Sequence, residues 1–201
     1  FPGTERERAH IAHLYDQALA HVDLGLGRIL AALERLELAN QTIVAVTSDH
    51  GEELFERGFL QHGKSLQREA LAIPWILHVP GAAPARVATP AMQVDLLPTL
   101  FGALGLPLDE RVQGRDLLRS TAEVPLWSEV NDAFARQTSV RSGGWKLVHA
   151  PPGAAVAYPA AAEWRLYDLA RDPWEREDAA TRAPARLAEL QRLQRDLAQQ
   201  L

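Results

Sequence analysis

The chain has 201 residues, of which 47% are hydrophobic, and its 21 basic and 26 acidic side chains leave a formal net charge of -5. That much apolar surface supports a packed core in one domain, or in a domain with a small appendage. Interspersed charges of slightly acidic balance argue against a nucleic-acid or anionic-membrane partner, and the absence of cysteine excludes disulfides and thiolate metal sites.

At the N-terminal end, Thr4-Glu-Arg-Glu7 matches a capping box. From there Ile11, Leu14, Tyr15, Ala18, Leu19, Val22, Leu26, Ile29, Leu30 and Leu33 keep a helical stripe, so one long helix is predicted from about Glu5 to Leu38, with Asn40 as its stop. Gly25 and Gly27 each weaken its middle by about 1 kcal/mol relative to alanine, which predicts a kink or a close backbone crossing there. Thr42 to Thr47 is short, β-branched and nearly all apolar, the pattern of a strand buried on both faces. Asp49 and His50 fall at its C-terminal end, and Gly51 allows a turn. Ser65 to Ala72 reads as one or two helical turns and Trp75 to Val79 as a second strand. Asp95 is placed to cap a helix over Leu96 to Leu104, with Pro98 in its first turn and Gly105 ending it.

Beyond Gly105 the pattern changes to short strands, Pro125 to Val130, Thr138 to Arg141, Trp145 to His149 and Arg165 to Leu169, which predict an antiparallel meander. Ala150 to Ala162, rich in Ala, Pro and Gly, reads as a long hairpin loop. A final amphipathic helix is predicted from about Ala185 to Gln200, with Leu187, Leu190, Leu193 and Leu197 on one face. No apolar run approaches the roughly 18 residues of a membrane span.

Ligands of open α/β sheets bind outside the carboxyl ends of the strands, so Asp49 and His50 can supply a hard oxygen and an imidazole nitrogen to a divalent cation. The plain alternative is a turn-capping aspartate beside a satisfied histidine, and spacing alone does not separate the two. Gln61-His-Gly-Lys-Ser65 then returns His62 and Lys64 toward the same region. An ammonium near a divalent cation makes chemical sense around an anion, with sulfate and phosphate esters the natural candidates, although a loop lysine taken alone is usually just solvated. His10 and His13, at i and i+3, read as helix-surface residues rather than metal ligands, with His21 on the same helix. His78 and His149 read as hydrogen-bonded structural residues in strands. Glu52 and Glu53 read as a solvated loop edge or as support for His50. Trp127, Trp145, Trp164 and Trp174 read as packing between sheet and terminal helix.

Thr47-Ser-Asp-His-Gly-Glu, followed by His62-Gly-Lys-Ser-Leu and Ile73-Pro-Trp-Ile-Leu-His-Val-Pro-Gly81, resembles the sulfatase family of the alkaline phosphatase superfamily. The likeness extends in order to Tyr15-Asp-Gln-Ala-Leu-Ala-His-Val-Asp23, Val94-Asp-Leu-Leu-Pro-Thr-Leu100, Val112-Gln-Gly-Arg-Asp-Leu-Leu118, Trp145-Lys-Leu147 and Leu166-Tyr-Asp-Leu-Ala-Arg-Asp-Pro173, and so covers nearly the whole chain. It implies an α/β fold. Residues 1–120 would be part of an alkaline-phosphatase-like sandwich, with a central mostly parallel sheet and flanking helices, and residues 121–201 a small antiparallel sheet packed on a terminal helix. It also implies Asp49 and His50 as two ligands of a divalent metal, usually calcium in this family, and Lys64 or His62 as the group that reaches the ester oxyanion.

The departure from the family pattern is the nucleophile. The Cys/Ser-x-Pro-x-Arg segment whose first residue becomes formylglycine does not occur in this sequence, nor do the early aspartates, lysine and histidine that complete the site. We therefore read the chain as the C-terminal half of a sulfatase-like protein, inactive by itself and able to pair with a second copy through an exposed sheet edge. The expected parent is a hydrolase of small-molecule or saccharide sulfate esters. The alternatives are a phosphonate or phosphate monoester hydrolase or a phosphoryl-group transferase of the same superfamily, and a non-catalytic interaction module. Compartment and substrate identity are not legible.

Overall fold

The computed structural model describes residues 3–58, 60–131, 135–153 and 163–200. Two compact units emerge, one of Phe1–His62 with Ala72–Arg86, the other of Gly63–Leu71 with Val87–Leu201.

The first unit begins with α1 (Glu5–Arg35). Its N-terminus forms as the sequence dictates. Thr4 Oγ1 accepts the Glu7 N–H at 3.3 Å while the Glu7 carboxylate accepts the Thr4 N–H at 2.7 Å, so two orphan donors are satisfied reciprocally. The helix stops before the predicted Leu38 and Asn40. Glu37 turns left-handed at φ 58, and the Leu38 N–H closes onto the Leu33 carbonyl at 2.8 Å. The helix runs unbroken through Gly25 and Gly27, and a Cβ at either would meet nothing within 4 Å, so the predicted close backbone crossing is not made among the described residues. None of its described residues is buried.

A 3₁₀ turn, Ala39–Gln41, leads into β1 (Val44–Thr47), which pairs antiparallel with β2 (Trp75–His78) in the register Val44 to His78 and Thr47 to Trp75. The pair is a two-stranded sheet. Both strands alternate half-buried and exposed residues, so the expected burial on both faces, and a parallel partner for β1, are not found among the described residues. The physical reason is local: β1 has one strand neighbour here, and antiparallel pairing with it leaves the other edge and much of both faces uncovered.

The second unit carries α2 (Arg68–Leu71), α3 (Leu96–Leu104), β3 (Leu126–Asn131), β4 (Arg136–Ser142), β5 (Trp145–His149), β6 (Trp164–Asp168) and α4 (Pro184–Ala198). β3 to β6 form a four-stranded antiparallel meander in sequence order, as the short strands and turns predict. The hairpin loop predicted over Ala150 to Ala162 lies largely outside the described residues. Val140, Leu147, Leu166, Ala179 and Leu190 make the core, with Leu187, Leu193 and Leu197 of α4 packed against it. Trp145 and Trp164 also join this core, whereas Trp174 is 53% exposed and lies under the Arg68 guanidinium, 4.9 Å from its ring centre. Gly105, left-handed at φ 65, ends α3 as expected. Asp95 stands at the start of α3 but does not cap it, because its carboxylate is committed to Arg115.

Candidate active site

The candidate site grows from the end of β1. Thr47 Oγ1 donates to the Pro74 carbonyl at 2.9 Å, which ties the strand end to the start of β2. The next residues fold into a tight local network. Ser48 Oγ donates to the His50 carbonyl at 2.7 Å, and the His50 N–H donates to Asp49 Oδ1 at 3.0 Å.

His50 Nδ1 lies 2.9 Å from the Gly51 carbonyl, and a carbonyl only accepts, so Nδ1 carries a proton and Nε2 is the ring nitrogen left for a further partner. His50 Nε2 faces Asp49 Oδ2 at 3.5 Å. Either a proton on Nε2 or a cation between the two groups satisfies that approach. The spacing is compatible with a cation: two ligands at right angles, each about 2.4 Å from a hard cation, are about 3.4 Å apart. The Asp49 carboxyl is held below the usual carboxylate range, first of all by the hydrogen bond from the His50 backbone N–H, so it is ionised at neutral pH as a ligand must be.

His62 joins the same place. Its ring stacks on His50 with centroids 3.8 Å apart and planes at 27°, and its Nδ1 is 3.0 Å from Glu52 Oε2. Glu52, read from sequence as a loop edge or as support for His50, reaches His62 instead. Its Oε1 is buried without a hydrogen-bond partner among the described residues. The loop between Gly51 and His62 closes through a bridge of Leu54 with Leu60 and carries two non-glycine residues in the left-handed region, Phe55 at φ 76 and Gln61 at φ 86. Such backbone is uncommon for residues with a Cβ and concentrates at functional sites.

Asp49, His50 and His62 thus stand together in the first unit, while Lys64, half-buried, belongs to the second. No group of three or more His, Asp and Glu residues able to hold a metal occurs among the described residues. The donor chemistry fits two positions of a divalent site, and a complete site needs further oxygen ligands. His10, His13 and His21 are exposed on α1, and His13 pairs with Gln17 at 3.0 Å. His78 is exposed too. His149 stacks on Trp164, with centroids 4.0 Å apart, and faces Glu163 at 3.3 Å, in keeping with a structural role.

The model of the family Sulfatase matches residues 1–106. Arylsulfatase K of Bos taurus is 31% identical over 198 residues, covering 90% of this chain and 35% of that protein, so the chain spans about a third of the length of such relatives. Among solved structures, BT4656 in complex with its substrate D-glucosamine-2-N,6-O-disulfate is 25% identical with a TM-score of 0.76, covering 90% of this chain and 39% of that one. The phosphonate monoester hydrolase of Agrobacterium radiobacter is 26% identical with a TM-score of 0.79, covering 98% and 43%. With a family match over more than half its residues, and with the strand-end Asp-His pair in place, this chain belongs to the sulfatase family.

Proposed function

We propose that these residues serve a metal-dependent sulfuric ester hydrolase in which Asp49 and His50 hold a divalent cation, calcium by the chemistry of the family. The observation that supports this most is the approach of Asp49 Oδ2 and His50 Nε2 to 3.5 Å at the end of β1, with His50 Nδ1 already engaged by the Gly51 carbonyl. The cation, when bound, supplies positive charge to the ester oxygens. Lys64 offers its ammonium to the ester oxyanion, and His62, held by Glu52 and stacked on His50, lines the same side as the metal ligands. The substrate class is a sulfate ester of a saccharide or small molecule.

The 201 residues contain neither cysteine nor Ser-x-Pro-x-Arg, so they do not supply a formylglycine nucleophile. By themselves they hydrolyse no aryl sulfate, and the edge of β1 that has no strand partner among the described residues favours pairing of two copies, which light scattering reads directly. The test uses the whole protein: Asp49→Ala lowers hydrolysis of 4-nitrophenyl sulfate by at least about a hundredfold and weakens calcium binding. Full activity in that variant would favour a non-catalytic role for this region. A second reading, hydrolysis of phosphonate or phosphate monoesters, is favoured by the likeness to a phosphonate monoester hydrolase. Faster turnover of phenyl 4-nitrophenyl phosphonate than of 4-nitrophenyl sulfate would select it.

A further inference from the structure

Residues 63–71 interrupt the first unit in sequence yet belong to the second. Ser65, Leu66, Gln67 and Ala70 are each no more than 5% exposed, although the segment has only the single turn of α2 as regular structure. Polar partners from β4, β5, β6 and the turn that follows β6 hold it. Glu175 Oε2 accepts the Arg68 N–H at 3.0 Å, and the same carboxylate takes Lys146 Nζ at 2.8 and 2.9 Å. The Leu66 N–H donates to Gln137 Oε1 at 3.3 Å. In the amide orientation that satisfies both its atoms, Gln67 donates to Glu175 Oε2 at 2.7 Å and accepts from Arg165 Nη1 at 3.3 Å.

Lys146 and Glu175 are each 4% exposed. A buried ion pair is a poor source of net stability, since desolvation offsets most of the attraction and apolar replacement of both partners is often neutral or better. Glu175 is moreover left-handed at φ 55, a backbone that disfavours any residue with a Cβ. It sits in a turn stapled by Asp172, whose Oδ2 accepts the N–H groups of Arg176 and Glu177 at 2.6 and 2.9 Å. Two unfavourable features kept at one residue suggest a geometric duty. The ammonium orients the carboxylate, and the carboxylate presents a charged acceptor to the backbone at Arg68 and the amide of Gln67.

We propose that Lys146 and Glu175 are positioning residues: their ion pair clamps Gln67 and Arg68 beside the C-terminal sheet and so sets the place of Lys64, three residues before Gln67 in the same stretch. Removing the clamp leaves the sheet folded and frees the segment. This rests on Lys64 as the oxyanion-facing residue, and the experiment separates the two claims.

In the whole protein, Lys146→Met with Glu175→Leu replaces the pair by apolar side chains. Amide exchange read by mass spectrometry then quickens about ten- to a hundredfold in the peptide spanning 65–71, with β4 and β5 unchanged. kcat on 4-nitrophenyl sulfate falls at least about tenfold with KM changed less than about threefold, because placement of the group that meets the developing charge is lost rather than binding. Unchanged exchange in 65–71, or exchange quickened equally across the meander, overturns the clamp. If the double variant does not fold, the isosteric Glu175→Gln is read by the same comparison of 65–71 with β4. Lys64→Ala isolates the underlying reading: unaltered turnover in it overturns the role of Lys64, while the exchange data still decide the clamp.

Discussion

Asp95 and Arg115 form a two-pronged ion pair inside the second unit, with Arg115 Nη2 2.7 Å from Asp95 Oδ2 and Arg115 Nε 3.3 Å from Oδ1. The Asp95 side chain is wholly buried and that of Arg115 is 12% exposed. The Arg115 and Met92 backbone N–H groups also donate to the carboxylate, at 2.7 and 2.9 Å. Removing one partner strands a buried charge, so Arg115→Ala costs about 3–5 kcal/mol of stability, far above an exposed pair such as Arg111 with Asp109. Urea denaturation midpoints of the two alanine variants, Arg115→Ala and Arg111→Ala, give the comparison.

The same pair sets an acid limit. Burial alone would raise the Asp95 carboxyl, but the Arg115 guanidinium and the two backbone donors outweigh it and hold the group below its ordinary 3.8. The folded value therefore lies below the unfolded one, and the stabilisation is complete above about pH 5 and lost as pH falls through the folded value. Asp95→Asn should show a constant stability deficit from pH 7 to about 5 that narrows below about pH 4. A deficit that widens with acid would contradict the assignment.

Gly114 is left-handed at φ 102, and a Cβ there would run into the Val94 carbonyl, a backbone atom with nowhere to go. Gly102 is also crowded, but by the Asp116 carboxylate and the Arg119 guanidinium, which can swing away. Gly114→Ala should lower stability by about 2 kcal/mol or more and Gly102→Ala by less, as thermal melting will read.

Glu52 anchors the ring that stacks on His50. In the whole protein, calorimetric titration with calcium should show Glu52→Ala binding at least about tenfold more weakly than wild type, through loss of the His62 ring's stacking support to His50 rather than loss of a ligand. Affinity equal to wild type would remove His62 from the metal's surroundings.

Leu190, with no exposed surface, packs from α4 onto Val140, Leu147 and Leu166. Leu190→Ala should cost about 2–5 kcal/mol, against little for Leu118→Ala at 53% exposure, in the same denaturation assay.

Much of this was readable from local pattern. The capping box at Thr4, the meander punctuated by glycine turns, and the leucine face of α4 all follow from chemistry within a few residues, where spacing and side-chain type decide. The Asp49-His50 pair was legible for the same reason, since a strand end followed by glycine places both side chains. Pairings distant in sequence were hidden. Nothing near Glu175 announces that Lys146 lies against it, and nothing near Asp95 tells that Arg115 diverts it from capping α3, because such partners are chosen by the packing of elements and not by neighbours in the chain.

By itself, then, the sequence determined the family, the order of strands and helices, and the Asp-His pair at the end of β1, all properties of short stretches with periodic or punctuated chemistry. The tertiary structure decided that Asp49 Oδ2 and His50 Nε2 face each other, that Glu52 reaches His62, and that the buried Lys146-Glu175 pair meets the Arg68 N–H. The first two are settled by how the loop after β1 folds back on itself, and the third by the packing of β5 against the turn that carries Glu175, which lies 29 residues away in the chain.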